Sequence, residues 1–156
     1  MKHVVAITIV LFAGYLGGAG CLKNHSMNVV SNPINTNITM TISIKITVGS
    51  AVFTATLNDN AAANAFKNLL PLTLDMDELN GNEKFCYLND SLPTEASNVG
   101  TIQLGDLMLY GDTCVVLCYE TFKTSYRYTS LGRINDPSGL GKALGTKNVV
   151  VKFELP

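Results

Sequence analysis

Tryptophan is absent from this 156-residue chain, and histidine occurs only at positions 3 and 25. Whatever folds from the rest of the sequence therefore has no Ser–His or Cys–His nucleophilic pair and no His/Cys cluster of the zinc-binding kind. Charge is scarce as well, at 15% of residues with a net value of −1. Lys2 and Lys23 lie in the first 38 residues, which leaves nine basic side chains against twelve acidic ones beyond them. That balance offers no basic stripe for a phosphate backbone, so nucleic acid is not an expected partner. No segment repeats with the 20 to 50 residue period of a solenoid. What is present is apolar material: 47% of the residues are hydrophobic, enough for one core in a chain of about one domain's length.

The opening "MKHVVAITIVLFAGYLGGAGC" carries a positive charge at Lys2, an apolar run from Val4 to Leu16, and small residues up to Cys21. This is the layout of a signal peptide, and a run of this length is short for crossing about 30 Å of hydrocarbon. "GAGC" resembles the lipobox of bacterial lipoproteins: Ala19 and Gly20 fit it, while Gly18 stands where Leu is usual. The expectation is a signal peptide over 1–20, lipidation of Cys21 and a membrane-tethered protein of the bacterial cell envelope, with a secreted or periplasmic form as the alternative. Residues 21–38 are polar, rich in Asn and interrupted by Pro33, and read as a flexible tether. The N-x-S/T triplets at Asn24, Asn37 and Asn89 are chance occurrences in an Asn-rich chain of this kind.

A domain is expected over 39–156. "TMTISIKITV" alternates apolar and polar residues, and Phe53, Ala55 and Leu57 repeat the alternation after Gly49-Ser50, which predicts a hairpin. "NDNAAANAFKNLLP" predicts a short helix capped by Asn58, Asp59 or Asn60 and ended by Pro71, with Ala62, Phe66, Leu69 and Leu70 on its apolar stripe. Further strands are expected near 72–76, 84–88, 107–110, 114–119, 126–134 and 148–155, with turns at 80–82, 110–113 and 144–148. "DPSGLGKAL" predicts a second helical turn with Asp136 as cap and Pro137 at its first position. Eight or so short strands with two small helices point to a mainly β protein, a closed or nearly closed barrel, because closure removes exposed sheet edges.

"TCVVLC" sets Cys114 and Cys118 four residues apart. On a helix the pair could share an ion; on a strand the sulfurs stand roughly 13 Å apart. Two β-branched residues and a preceding Gly-Asp turn favour the strand, with Cys114, Val116 and Cys118 on one face as small core residues. If lipidation consumes Cys21, three cysteines remain, and any internal bridge must use Cys86. The expectation is three unpaired, slowly reacting thiols.

"LPLTLDMDELNGNEKFCYL", "GDLMLYGDTCVVLCYETF" and "YRYTSLGRINDPSGLGKALG" together resemble the bacterial cyclophilin-like fold family, over residues 39 to 155. The resemblance implies an eight-stranded closed barrel with a helix at each end. It does not imply proline isomerisation: true cyclophilins surround a proline pocket with Arg, Phe, Gln, Trp and His, and here Trp is missing, both His lie outside the domain, and neither Arg127 nor Arg133 stands in a stretch like the isomerase Arg motif. Relatives found beside flavodoxin-type proteins leave a redox association open, although no flavin motif is visible.

Other chemistries find little support. Asp75, Asp77 and Glu78 lack the spacing of a calcium loop and read as a solvated turn, and "GLGKALG" falls short of a phosphate loop. No metal, cofactor or catalytic residue is expected. The remaining candidate is an aromatic face: Tyr110, Tyr119, Phe122, Tyr126 and Tyr128 cluster in sequence with Arg133, and alternation puts Tyr126 and Tyr128 on one side. Tyr110, Tyr126, Tyr128 and Arg133 suit a peptide or small anionic ligand. The function expected is thus non-catalytic binding, with an isomerase-type or redox-accessory enzyme as the alternative.

Overall fold

A computed structural model describes residues 41–156. The segments expected to be a signal peptide and a tether, the expected lipidation at Cys21 and the first residues of the expected domain lie outside the described residues.

Strands β1 (Ile42–Val48) and β2 (Ala51–Leu57) form the expected hairpin, with Val48 opposite Ala51 and Ile42 opposite Leu57. Ile44, Ile46, Val48, Ala55 and Leu57 point inward and are buried. Helix α1 (Ala61–Asn68) follows, and of the three possible caps it uses Asn60, whose side chain accepts from the Ala63 N–H at 2.8 Å. Its buried face is Ala62, Ala63 and Phe66, and Phe66 meets Phe153 edge to face at 5.6 Å.

Strand β3 (Leu72–Leu79) runs three residues further than the sequence suggested, and this corrects the reading of the acidic group. Asp75, Asp77 and Glu78 are strand residues, not a turn: Asp75 and Asp77 face solvent, while Leu74 and Met76 face the core. The turn comes immediately after. Asn80 and Gly81 both take positive φ, 55° and 72°, which the tight hairpin into β4 (Glu83–Tyr87) demands.

The remaining strands are β5 (Ser97–Asn98), β6 (Thr101–Ile102), β7 (Asp106–Tyr110), β8 (Cys114–Cys118), β9 (Phe122–Lys123), β10 (Arg127–Ile134) and β11 (Val149–Glu154). Eight of the strands close into an antiparallel barrel in the order β2-β1-β11-β3-β4-β8-β7-β10, with β10 pairing back to β2. β5 adds to β10, and β6 pairs with β9 apart from the barrel. The two-residue strands β5, β6 and β9 were not expected, since two residues carry no alternation to read.

Helix α2 (Leu140–Leu144) lies between β10 and β11, and its start also differs from expectation. Asp136 is not the cap; its carboxylate accepts from the Ser138 N–H at 3.0 Å in a local turn, and Gly139, in a left-handed conformation, precedes the helix instead. Pro137 lies in that turn and receives the Leu140 N–H on its carbonyl.

Two apolar clusters result. The barrel interior holds Ile44, Ile46, Leu107, Leu109, Val115, Leu117, Leu131 and Phe153 among others, each buried aliphatic residue stabilising the fold by about 1.5–3 kcal/mol. A smaller cluster of Ile102, Met108, Cys114, Val116, Cys118 and Tyr128 covers the outer face of β7, β8 and β10. Cys114 and Cys118 are therefore core residues, but of the outer cluster.

An aromatic pocket on the outer wall of the barrel

The outer cluster stops short of covering the wall completely. Beside it opens a cavity of about 320 Å³ whose floor and sides come from four neighbouring strands and the β3–β4 turn. β4 contributes Glu83, Phe85 and Tyr87, which register places opposite Cys118, Val116 and Cys114 of β8. β7 ends in Tyr110, paired with Cys114 on one side and Tyr128 on the other. Alternation does the sorting: on β4 the intervening Lys84 and Cys86 oppose Leu117 and Val115 and face the barrel interior.

The tyrosines meet as aromatic pairs. Tyr110 packs edge-on against Tyr126 at 5.8 Å and at a tilt against Tyr128 at 5.6 Å, while Phe85 and Tyr87 meet at 5.9 Å across the cavity wall. Tyr128 is buried at the base; Tyr87, Tyr110, Tyr126 and Leu79 are exposed at the rim. Burial, and then the Glu83 charge, push the Tyr128 hydroxyl up to about 12, and the same two causes in the same order push the Cys114 thiol up to about 11.

Glu83 is the one acid among the residues that line the cavity, and no Lys or Arg lines it. It is only 6% exposed, and its Oε2 has no hydrogen-bond partner among the described residues. Burial raises its pKa, and the nearby Glu78 carboxylate raises it further.

Of the residues expected to form a site, Tyr110, Tyr126 and Tyr128 come together here. Arg133 does not: its Nε donates to Asp106 Oδ1 at 2.6 Å, and it is not among the lining residues. Phe122 packs into the outer cluster, and Tyr119 bonds Glu78 through its hydroxyl at 2.8 Å. Glu83, Phe85 and Tyr87 went unrecognised in the sequence, although their strict alternation was a readable signal. Which strand would lie beside them was not readable. Among the described residues no group of His, Cys, Asp and Glu is arranged to hold a metal ion.

Comparison with known structures supports the architecture. The solution structure of a hypothetical protein from Archaeoglobus fulgidus superposes with a TM-score of 0.56 at 16% identity, covering 74% of this chain and 95% of that one. Among curated proteins nothing matches. The sequence pattern of the cyclophilin-like family matches residues 46–154, from within β1 to the end of β11, and the chain belongs to that family.

Proposed function

We propose that this protein is a non-catalytic binding domain of the bacterial cell envelope, tethered through a lipidated Cys21, which holds a small molecule or peptide side chain in the outer-wall pocket. One observation carries the binding assignment. Seven large apolar or aromatic side chains are exposed in the described domain, and four of them, Leu79, Tyr87, Tyr110 and Tyr126, rim this single cavity. Scattered exposed apolar residues need no explanation, but a concentration around a concave, aromatic-lined cavity is the surface of a ligand site.

The groups in the pocket suit binding and not catalysis. Its ionisable groups are Glu83, tyrosines and Cys114, and Cys114 is held in its thiol form well above neutral pH, so it is no nucleophile. The anionic ligand suggested by Arg133 loses its basis, because that guanidinium is engaged by Asp106 outside the pocket. The envelope location rests on the leader and on the small residues before Cys21.

Native mass spectrometry of the full chain, expressed in its own host and isolated from membranes, tests both halves. The expected spectrum shows a mature chain that starts at a lipid-modified Cys21 and carries a bound species, which is missing from the Tyr126→Ala variant. An intact leader overturns the tether. A bound species retained by Tyr126→Ala, or proline-peptide turnover above the uncatalysed rate that this variant loses, overturns the binding reading.

A further inference from the structure

Glu83 lines the aromatic cavity while its Oε2 is buried with no partner among the described residues, and an ionised carboxyl so placed is costly unless something arrives to compensate it. Taking an ionised carboxyl out of water is unfavourable even after relaxation, and a protein that keeps one buried pairs it or neutralises it. Glu83 has no cation within the cavity lining, and the nearest Lys on its own strand, Lys84, faces the opposite side of the sheet and is bound to Glu78 and the Lys147 carbonyl. The walls around it are the faces and edges of Phe85, Tyr87, Tyr110, Tyr126 and Tyr128. Aromatic faces attract cations through their quadrupole, and several of them around one acid describe a receptor for a compact, weakly hydrated positive charge.

We propose that the pocket is an organic-ammonium site, in which Glu83 provides the counter-charge and the tyrosine rim encloses the cationic head. This rests on the pocket being a ligand site, as proposed above, and adds the sign and chemistry of what enters it. The ammonium can belong to a lysine side chain presented by a peptide or to a free small amine, since both offer the same head. A cavity of about 320 Å³ accommodates either, with the open rim left for the remainder of the ligand.

The proposal carries a pH signature. Glu83 must be ionised to pair with the cation, so affinity should fall as the pH drops through its raised pKa. The other titratable groups around it are Glu78 of β3, Tyr87 of β4, Tyr110 of β7, Cys114 and Cys118 of β8, Tyr126 just before β10 and Tyr128 on it, with Asp106 of β7 beside Cys118. The thiols and Tyr128 stay neutral far above this range. Against its own burial Glu78 is held ionised by Lys84 and Tyr119, and the Lys84 ammonium matches its charge, so it adds no free charge to the pocket.

The test is a calorimetric and NMR titration of the full chain with tetramethylammonium, n-butylammonium, a blocked lysine peptide and 3,3-dimethylbutan-1-ol, the last a neutral isostere of choline. The cations should bind at least about tenfold more tightly than the neutral alcohol at pH 8, the worth of one desolvated cation–π contact or more. Glu83→Gln should erase that preference while the alcohol binds as before, and it should flatten the pH dependence. A lysine peptide that binds more tightly than butylammonium assigns the site to peptides; the reverse order assigns it to free amines. Equal affinity for alcohol and cations, unchanged in Glu83→Gln, overturns the ammonium assignment and leaves the pocket a binding site. Failure of all four probes to shift the tyrosine resonances overturns both.

Discussion

Glu78 and Glu83 stand on either side of the Asn80–Gly81 turn, and the two carboxyls are given opposite environments. On Glu78 the Lys84 Nζ, the Tyr119 hydroxyl and the Gly81 N–H converge. Burial works against its charge, but those partners outweigh it and hold the carboxyl below its usual range. Lys84 is completely buried and depends on that charge, with the Tyr119 ring 5.4 Å from its ammonium. Glu83 has burial, the Glu78 charge nearby and no partner for its Oε2 among the described residues, so its folded state favours the proton. The signs follow from linkage. The stabilising contribution of Glu83 is complete below the ordinary carboxylate value of 4.5 and is lost as the pH rises through its raised folded value. That of Glu78 is present above 4.5 and is lost as the pH falls through its lowered one. Glu83→Gln cannot ionise and should therefore stabilise the ligand-free protein at pH 7 by an amount on the order of 1 kcal/mol, the cost of ionising a buried carboxyl, and by little at pH 4. Urea unfolding at the two pH values measures it; an equal gain at both would mean that Glu83 is not the titrating group.

Strand β8 is the element that organises the site, because it is buried on both faces. Val115 and Leu117 enter the barrel, and Cys114, Val116 and Cys118 enter the outer cluster. A strand covered on both sides reads as an unbroken apolar run, which is why "CVVLC" was recognisable as a strand while its two faces were not separable. The outer cover comes from Ile102 of β6, Phe122 of β9 and Val99, in segments too short to leave a periodic trace. The same limit hid the pocket: the tyrosines of β7 and β10 were legible as a cluster, but their contact with β4 depends on the strand order, and register alone brings Glu83 to them. Register also separates the thiols. Cys86 opposes Val115 and faces inward, while Cys114 and Cys118 face outward, so no pair among the three is bridged, and each is free. Burial raises all three thiols first, and neighbouring acidic groups raise them further. Alkylation of the folded protein should label Cys86, the most accessible, slowly, and Cys114 and Cys118 only after unfolding. Rapid native labelling of Cys114 would show that the outer cluster opens in solution.

At the scale of the whole molecule the fold depends on one seam, where β10 returns to β2. The hairpins and the long antiparallel pairs join neighbours in sequence or are strung along extended strands; this contact joins Leu57, Thr56 and Ala55 to Gly132, Arg133 and Ile134 over only three register positions. Asparagines reinforce it. Asn58 donates to the Ser130 hydroxyl at 2.7 Å, Asn60 donates to the Ser130 carbonyl at 2.8 Å, and Asn135 accepts from the Thr56 hydroxyl at 2.7 Å. Side chains that looked like interchangeable helix caps in the sequence thus divide the work, Asn60 both capping α1 and sewing the seam, Asn58 only sewing. Gly132 makes the closure possible: a Cβ there would lie 2.3 Å from the Thr56 carbonyl oxygen and 2.9 Å from the Leu57 Cα, both backbone atoms that cannot swing aside. It also sits where the β7–β10 register slips between Ser130 and Gly132, a bulge that bends β10 toward its partner. Gly132→Ala should force the two strands apart and destabilise the domain by about 1–3 kcal/mol, in the range of overpacked cores. The loss should be local before it is global. Amide exchange should accelerate first at the seam, at the Asn58 N–H bonded to the Leu131 carbonyl and the Asn135 N–H bonded to the Thr54 carbonyl, while the β4–β8 ladder under the pocket keeps its protection. Uniform acceleration through both regions would show that the barrel opens as one unit and that the seam is not its weakest line.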